Sequence, residues 1–97
     1  EGFPNAVLEG MAMGCAVIAT DVGAIPEMLD VQTINPCGIC VPPQNVEKLK
    51  EAVFRLVQDP LTAELMGKNG IHKVLNNYTI EIIAKLYWNV WKNALHG

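Results

Sequence analysis

The sequence predicts an α/β fold in which two short strands pair in parallel. Two apolar runs are too short for helices and are typical of buried strands, AVIAT from Ala16 to Thr20 and GICV from Gly38 to Val41. Helical segments precede, separate and follow them. Two strands alone do not make a stable parallel sheet, because both faces must be covered and each edge is an open hydrogen-bonding template.

The helices of the first half are short. Apolar residues predict a helix from Asn5 to Met13, and Gly14 is expected to stop it. Between the strands, DVGAIPE predicts a turn. Pro26 then suits the first turn of a short helix that continues through Leu29.

Three longer helices are predicted in the second half. Asn45 is expected to cap an amphipathic helix with one apolar stripe. The stripe comprises Val46, Leu49, Val53, Leu56 and Val57. Asp59 and Pro60 should end this helix and cap the next, which is expected to run to about Leu75. The stretch Asn-Asn-Tyr then separates it from a last helix that starts near Thr79.

The last helix is apolar over most of its circumference. Such a helix is normally buried on most sides, and the rest of this chain offers too little surface to cover it. The chain also begins without a methionine. We therefore expect it to be the back portion of a larger α/β protein. The apolar positions are Ile80, Ile82, Ile83, Ala84, Leu86, Tyr87, Trp88, Val90, Trp91, Ala94 and Leu95.

Composition limits the possible functions. The chain has 97 residues, of which 51% are hydrophobic, and a net charge of −3. A small single domain can be formed, but nucleic-acid binding requires a basic surface that this composition does not provide. No run approaches the about 18 apolar residues of a membrane span, and no signal peptide is visible.

Three cysteines suggest a reducing compartment. Cys15, Cys37 and Cys40 make an odd number without secretory context, which favours ordinary thiols in the cytoplasm. The CGIC spacing also occurs in redox and zinc sites. However, His72 and His96 lack a paired ligand spacing, and a strand and prolines follow the motif instead of a helix. We therefore predict no metal site.

The opening stretch EGFPNAVLE places two glutamates on either side of a helix start. Gly2, Phe3 and Pro4 should form a loop that leads into the helix at Asn5, where free backbone N–H groups and the helix dipole favour an anion. Glu9 lies one turn further on the same side. Its carboxylate could accept hydrogen bonds from a ribose diol while the amides hold a diphosphate.

Glu1 sits on the other side of this anion site. It could accept a hydrogen bond from a sugar hydroxyl or stabilise positive charge that develops at a sugar carbon. The alternative is structural, because glutamate is common near helix N-termini, where it complements the dipole. The spacing of Glu1 and Glu9 alone does not decide between a nucleotide site and a structural role.

The longer strings EGFPNAVLEGMAMGCAVIATDVGAIPEML and GICVPPQNVEKLKEAVFRLVQDP resemble the family 4 retaining glycosyltransferases of the GT-B fold (glycosyl transferases group 1). The resemblance covers nearly the whole chain. It implies the second half of the C-terminal, Rossmann-like nucleotide-sugar-binding domain. Ala24 departs from the pattern by replacing the second of two glycines, which matters only if that position needs a positive φ.

The resemblance also implies roles for individual residues. Glu9 would bind the ribose hydroxyls, and Glu1 would lie beside the donor sugar as the catalytic-site residue. Donor-binding contacts would further come from Phe3, Pro4 and Asn5, through backbone amides, and from Thr20 and Gly23, which would line the cleft at a strand end. Val7 and Leu8 are expected to pack in the core or beside the nucleobase.

The implied function is transfer of a sugar from a nucleotide-diphosphate donor to an acceptor, with retention of configuration. The acceptor site would belong to a missing N-terminal domain, so the chain alone is not expected to catalyse the transfer. No cofactor is expected, because protein dipoles and basic side chains upstream of Glu1 would neutralise the diphosphate. The alternatives are a GT-B sugar-nucleotide epimerase and a non-catalytic GT-B interaction module. Expected partners are the donor, an acceptor of unknown identity, and either a missing N-terminal domain or a second copy. We predict a cytoplasmic protein; Trp88, Trp91 and Lys92 leave a peripheral membrane contact as an alternative.

Overall fold

A computed structural model describes residues 5 to 96, with side chains from 5 to 95. The predicted α/β class is confirmed, with two parallel strands and five helices in the described range. The elements are α1 (Asn5–Ala12), β1 (Val17–Thr20), α2 (Ile25–Met28), β2 (Gly38–Val41), α3 (Val46–Gln58), α4 (Pro60–Asn77) and α5 (Ile80–His96).

Strands β1 and β2 pair in register from Val17 opposite Gly38 to Thr20 opposite Val41. Alternate side chains of a strand point to opposite faces of the sheet. On one face, Val17 and Ala19 pack against the hydrophobic core. On the other face, Ile18 and Thr20 line a cleft together with the first turn of α3. The helices therefore cover both faces of the sheet.

The core lies between the sheet and the helices α1, α4 and α5. Its most buried side chains include Leu8 and Met11 of α1, Leu29 after α2, and Val74 of α4, each at most 1% exposed. Helix α5 contributes Leu86, which is 5% exposed. Helix α1 thus rests on partners that come from much later in the chain.

Helix α1 ends in a Schellman motif, which explains why Gly14 stops it. The N–H of Gly14 donates to the carbonyl of Met11 at 3.1 Å, and the N–H of Cys15 donates to the carbonyl of Gly10 at 3.0 Å. Gly14 has φ +77°, a left-handed conformation that glycine adopts without a steric penalty.

The two predicted caps are confirmed. Oδ1 of Asn45 accepts the N–H of Lys48 at 2.9 Å, and Oδ1 of Asp59 accepts the N–H of Thr62 at 3.1 Å. The hydroxyl of Thr62 also donates to Oδ2 of Asp59 at 2.6 Å. These two hydrogen bonds from Thr62 lower the pKa of the Asp59 carboxyl.

Asn45→Ala should lower the free energy of unfolding by about 1 kcal/mol, because the N–H of Lys48 loses its acceptor. Asn45→Asp is the matched control, since aspartate caps about as well as asparagine and should leave stability nearly unchanged. Urea unfolding of both variants checks this. An alanine variant as stable as the wild type would show that the cap contributes nothing.

Helix α4 is longer than predicted. We expected its end near Leu75, but it continues through Asn77, so reading Asn76 and Asn77 as a break was wrong. Nδ2 of Asn77 donates to the carbonyl of Lys73 at 2.8 Å, which satisfies a free carbonyl of the last turn. Tyr78 then leaves the helix in an extended conformation.

Two helices expose apolar faces. Of the residues of α3, Ala52 is buried, while the predicted apolar stripe is largely exposed, with Val57 at 70% and Val46 at 62%. In α5, Trp91 is 64% and Leu95 78% exposed. Between residues 5 and 96, no helix combines the length and the apolar character that crossing a membrane requires.

Candidate functional site

The start of α1 lies at the carboxyl end of the sheet. Helix α1 and strand β1 are consecutive and are joined by a tight turn, so they run antiparallel. Gly10, near the end of the helix, faces Val17 at the start of the strand: a Cβ at Gly10 would lie 3.0 Å from Cγ2 of Val17. The opposite end of α1, with Asn5, is therefore level with Thr20. Ligands of open α/β sheets bind at this end.

Asn5 and Glu9 share the side of α1 that faces away from the core. Asn5 is exposed and Glu9 is half-buried, whereas Val7 and Leu8 are buried. The step of four positions from Asn5 to Glu9 corresponds to a rise of about 6 Å along the helix. A diphosphate at the helix start and a hydroxyl pair at Glu9 would fit this separation. The core position predicted for Val7 and Leu8 is confirmed.

The turn after β1 has a backbone conformation that favours glycine at position 23. The carbonyl of Val22 accepts the N–H of Ile25 at 3.2 Å, and Gly23 between them has φ +54°. A Cβ at Gly23 would meet no atom within 4 Å, so a side chain there would cost backbone strain and not a clash. Ala24 has φ −87°. The alanine at this position therefore carries no backbone penalty.

Thr20 lies at the carboxyl end of β1, as the sequence predicts, but on the face of the sheet opposite α1. It is exposed and lines a cleft of about 320 Å³ with Pro42, Asn45 and Leu49. The structure thus places Asn5 and Glu9 on the same side of α1. Thr20 lies at the end of β1 on the opposite face of the sheet, and Gly23 lies in the turn that follows β1. A ligand would have to extend across the strand end to contact both groups.

The predicted residues Glu1, Phe3 and Pro4 lie outside the described residues. Their donor-site roles stay predictions. For Asn5, Glu9, Thr20 and Gly23 the structure gives the positions, and their contacts with a ligand also stay predictions.

Lys73 is a charged residue near the site that the sequence analysis missed. Its Nζ lies 2.9 Å from Oδ1 of Asp30 and donates to the carbonyl of Glu27 at 2.6 Å. It lines a cleft of about 310 Å³ between α1, α2 and α4, together with Leu8 and Tyr78. Lys73 and Asp30 are separated by 43 positions in the sequence, so no local pattern indicates this ion pair. It ties α4 to the turn that follows α2.

The two cysteines of the CGIC motif, Cys37 and Cys40, have raised thiol pKa values. Burial raises the pKa of the Cys37 thiol, and nearby Asp30 raises it further. Burial and Asp21 likewise raise the pKa of Cys40. Redox-active pairs need a lowered thiol pKa, so the shift is opposite to that of a redox motif. Across the described part of the chain, no three His, Cys, Asp or Glu side chains gather as metal ligands would.

Alkylation should distinguish the three thiols. We expect iodoacetamide to modify the exposed Cys15 first and the buried Cys37 last, because burial limits access and the raised pKa lowers the thiolate fraction near neutral pH. Mass spectrometry over a time course measures the order. Cys37 or Cys40 reacting faster than Cys15, or stoichiometric zinc in protein purified without added metal, would contradict the interpretation as ordinary thiols.

Known proteins are similar to this chain in sequence. An MMP α-(1→4)-mannosyltransferase from Mycolicibacterium hassiacum is 29% identical over 98% of the chain, which corresponds to 23% of the relative. A lipopolysaccharide core biosynthesis mannosyltransferase from Rhizobium leguminosarum is 32% identical over 98% of the chain and 26% of the relative. The chain thus spans about a quarter of the length of these relatives.

A solved structure agrees with these similarities. Sucrose-phosphate synthase from Thermosynechococcus elongatus, a GT-B protein, superposes with a TM-score of 0.73 and 31% identity, over 99% of this chain and 23% of that one. The family model described as glycosyl transferases group 1 matches residues 1–59, more than half of the chain. With the GT-B-like arrangement of its helices and strands, the chain belongs to the group 1 glycosyl transferases.

Proposed function

We propose that this chain supplies part of the donor site of a retaining glycosyltransferase, which moves a sugar from a nucleotide-diphosphate donor to an acceptor. The observation that carries the proposal is the placement of Glu9 one turn into α1, on the side away from the core, in a helix whose start lies at the carboxyl end of the sheet. Its carboxylate can accept two hydroxyl hydrogen bonds there. Relatives named as mannosyltransferases support a hexose as the transferred group.

In this proposal each residue serves one part of the donor. Glu9 accepts hydrogen bonds from the ribose diol, and the amides at the start of α1, near Asn5, hold the diphosphate. Phe3 and Pro4 border that diphosphate, and Glu1 orients the sugar. Thr20 and Gly23 border the ligand where it crosses the strand end. Helix dipoles and basic side chains, without a metal, stabilise the departing diphosphate.

We further propose that the chain is the second half of a GT-B C-terminal domain. Supporting this, the described sheet has two strands in the order β1-β2, which leaves β1 with an unpaired edge. The exposed apolar stripe of α3 and the exposed face of α5 also suit burial against other parts of a longer protein. The acceptor would bind in a further domain of that protein.

The isolated chain should therefore associate or be only marginally stable. Exposed apolar side chains such as Trp91 and Leu95 favour self-association through α5 when nothing else covers them. Sedimentation velocity across a concentration series, combined with urea unfolding, checks this expectation. A compact monomer with high resistance to urea would contradict it.

The proposed activity is tested with the full-length enzyme. UDP-, GDP- and ADP-hexoses are each incubated with candidate acceptors, and products are analysed by mass spectrometry and by NMR of the anomeric proton. Transfer with retained configuration supports the proposal. Formation of an epimer of the donor without transfer would identify the sugar-nucleotide epimerase instead. Absence of nucleotide binding would favour a non-catalytic module.

A further inference from the structure

Helix α1 meets α4 at a contact that has no room for a methyl group. A Cβ at Gly67 would lie 2.0 Å from the carbonyl oxygen of Gly14, at the turn that ends α1. One turn along α4, a Cβ at Gly70 would lie 3.3 Å from Cα of Met11. Both glycines are buried. The backbones of the two helices are therefore in direct contact.

The obstructing atom at Gly67 cannot move by itself. It belongs to Gly14, whose backbone is fixed by the Schellman hydrogen bonds and by its left-handed φ. The same end of α1 is held from another side by α5, because the hydroxyl of Tyr87 donates to the carbonyl of Ala12 at 2.8 Å. Since the obstruction is backbone and not a flexible side chain, relief of a clash at Gly67 requires α1 and α4 to move relative to each other.

We propose that Gly67 is a positioning residue for Glu9. This inference rests on the proposed function, in which Glu9 binds the donor ribose. Glu9 lies five residues before Gly14, a rise of about 7.5 Å along one short helix, and such a helix moves as a unit. Ordinary contacts require 3.4 Å or more. Restoring that distance from 2.0 Å shifts α1, and Glu9 with it, by about 1.4 Å relative to α4. An error of about 1 Å can already reduce activity by about 100-fold.

The test is a double-mutant cycle in the full-length enzyme. The probe is whichever of UDP, GDP and ADP the wild type binds most tightly, and calorimetry measures its Kd. Gly67→Ala should weaken binding by about tenfold or more when Glu9 is present. In the Glu9→Gln background the same substitution should weaken binding by a clearly smaller factor, because the ribose contact is already lost and only the amides at the start of α1 are still misplaced.

Two further variants keep the test decisive. Gly70→Ala adds a milder obstruction, which requires a shift of only a few tenths of an ångström. It should weaken binding less than Gly67→Ala does, and again more when Glu9 is present than in the Glu9→Gln background. If Gly67→Ala does not fold, the cycle with Gly70→Ala decides. Both changes raise helix propensity, so weaker binding cannot come from a weaker α4. Ala52→Gly, in a helix on the other face of the sheet, is the control for general destabilisation and should leave Kd unchanged.

The possible failures are distinguishable. If Glu9→Gln binds as tightly as the wild type, the proposed ribose contact is wrong, and the inference is wrong with it. If Glu9→Gln weakens binding but the glycine variants leave Kd unchanged, or weaken it equally in both backgrounds, the donor site stands and the positioning role is overturned. A loss of affinity in Ala52→Gly as large as that in Gly67→Ala would also overturn it.

Discussion

Glu9→Gln is expected to weaken binding of a nucleoside diphosphate to the full-length enzyme by more than tenfold. Glutamine keeps the shape of the side chain but replaces an anion with two acceptor oxygens by an amide with one. Hydrogen bonds to charged groups contribute about 1.5–3 kcal/mol each, so loss of one already exceeds a factor of ten. Calorimetric titration with the nucleoside diphosphate measures the change.

Two glutamine variants act as controls. Glu1→Gln should lower turnover while leaving the Kd of the free nucleoside diphosphate nearly unchanged, since Glu1 is proposed to serve the sugar. Glu64→Gln removes the charge of an exposed carboxylate on α4 and should change neither turnover nor the Kd. If Glu9→Gln binds the nucleotide as tightly as the wild type, the assignment of Glu9 to the ribose is wrong.

Leu29→Ala should cost about 2–5 kcal/mol of folding free energy, the usual range for a buried leucine. Leu29 is 0% exposed. Its backbone also holds the following segment, because its carbonyl accepts the N–H of Cys37 at 2.8 Å, immediately before β2. A cavity at this position would therefore loosen the connection between α2 and the second strand. The change is measured by urea unfolding of the full-length enzyme.

Ile34→Ala is the matched control in the same segment. Ile34 is 92% exposed, and substitutions of such surface residues usually change stability by less than about 0.5 kcal/mol. Two variants of equal stability would show that Leu29 is not the core residue that its burial indicates.

The helix boundaries could be predicted where the signal is local. Asn45 and Asp59 each accept an N–H three residues ahead, and Gly14 closes a motif that spans six residues, so the information lies within one or two turns. The end of α4 could not be predicted in this way. Asn77 reads as a turn residue, yet its side chain satisfies a carbonyl inside the helix.

Parts of the candidate site were also predictable. The helical period places Asn5 and Glu9 on one side of α1. Strand alternation separates Ile18 and Thr20 from Val17 and Ala19, but the sequence does not say which of these two faces meets α1. That choice depends on tertiary packing, which sets Thr20 on the α3 side.

The contacts that fix α1 were not predictable, because they join distant parts of the chain. In the sequence, Gly67 is only a residue of low helix propensity. The need for glycine there follows from the structure, where the carbonyl oxygen of Gly14 occupies the space of a Cβ. The hydroxyl of Tyr87 reaches a carbonyl 75 residues earlier. Neither pairing leaves a pattern in a single sequence.

That separation has a consequence during protein synthesis. The apolar side of α1, with Leu8 and Met11, rests on α4 and α5, which leave the ribosome well after it. At about 5–20 residues per second, the 75 positions from Ala12 to Tyr87 require roughly 4–15 s of translation. Until α4 and then α5 are made, the helix that carries Glu9 lacks these partners, and the nascent chain exposes the apolar side of α1. Ribosome stalling within α4 would extend this exposure.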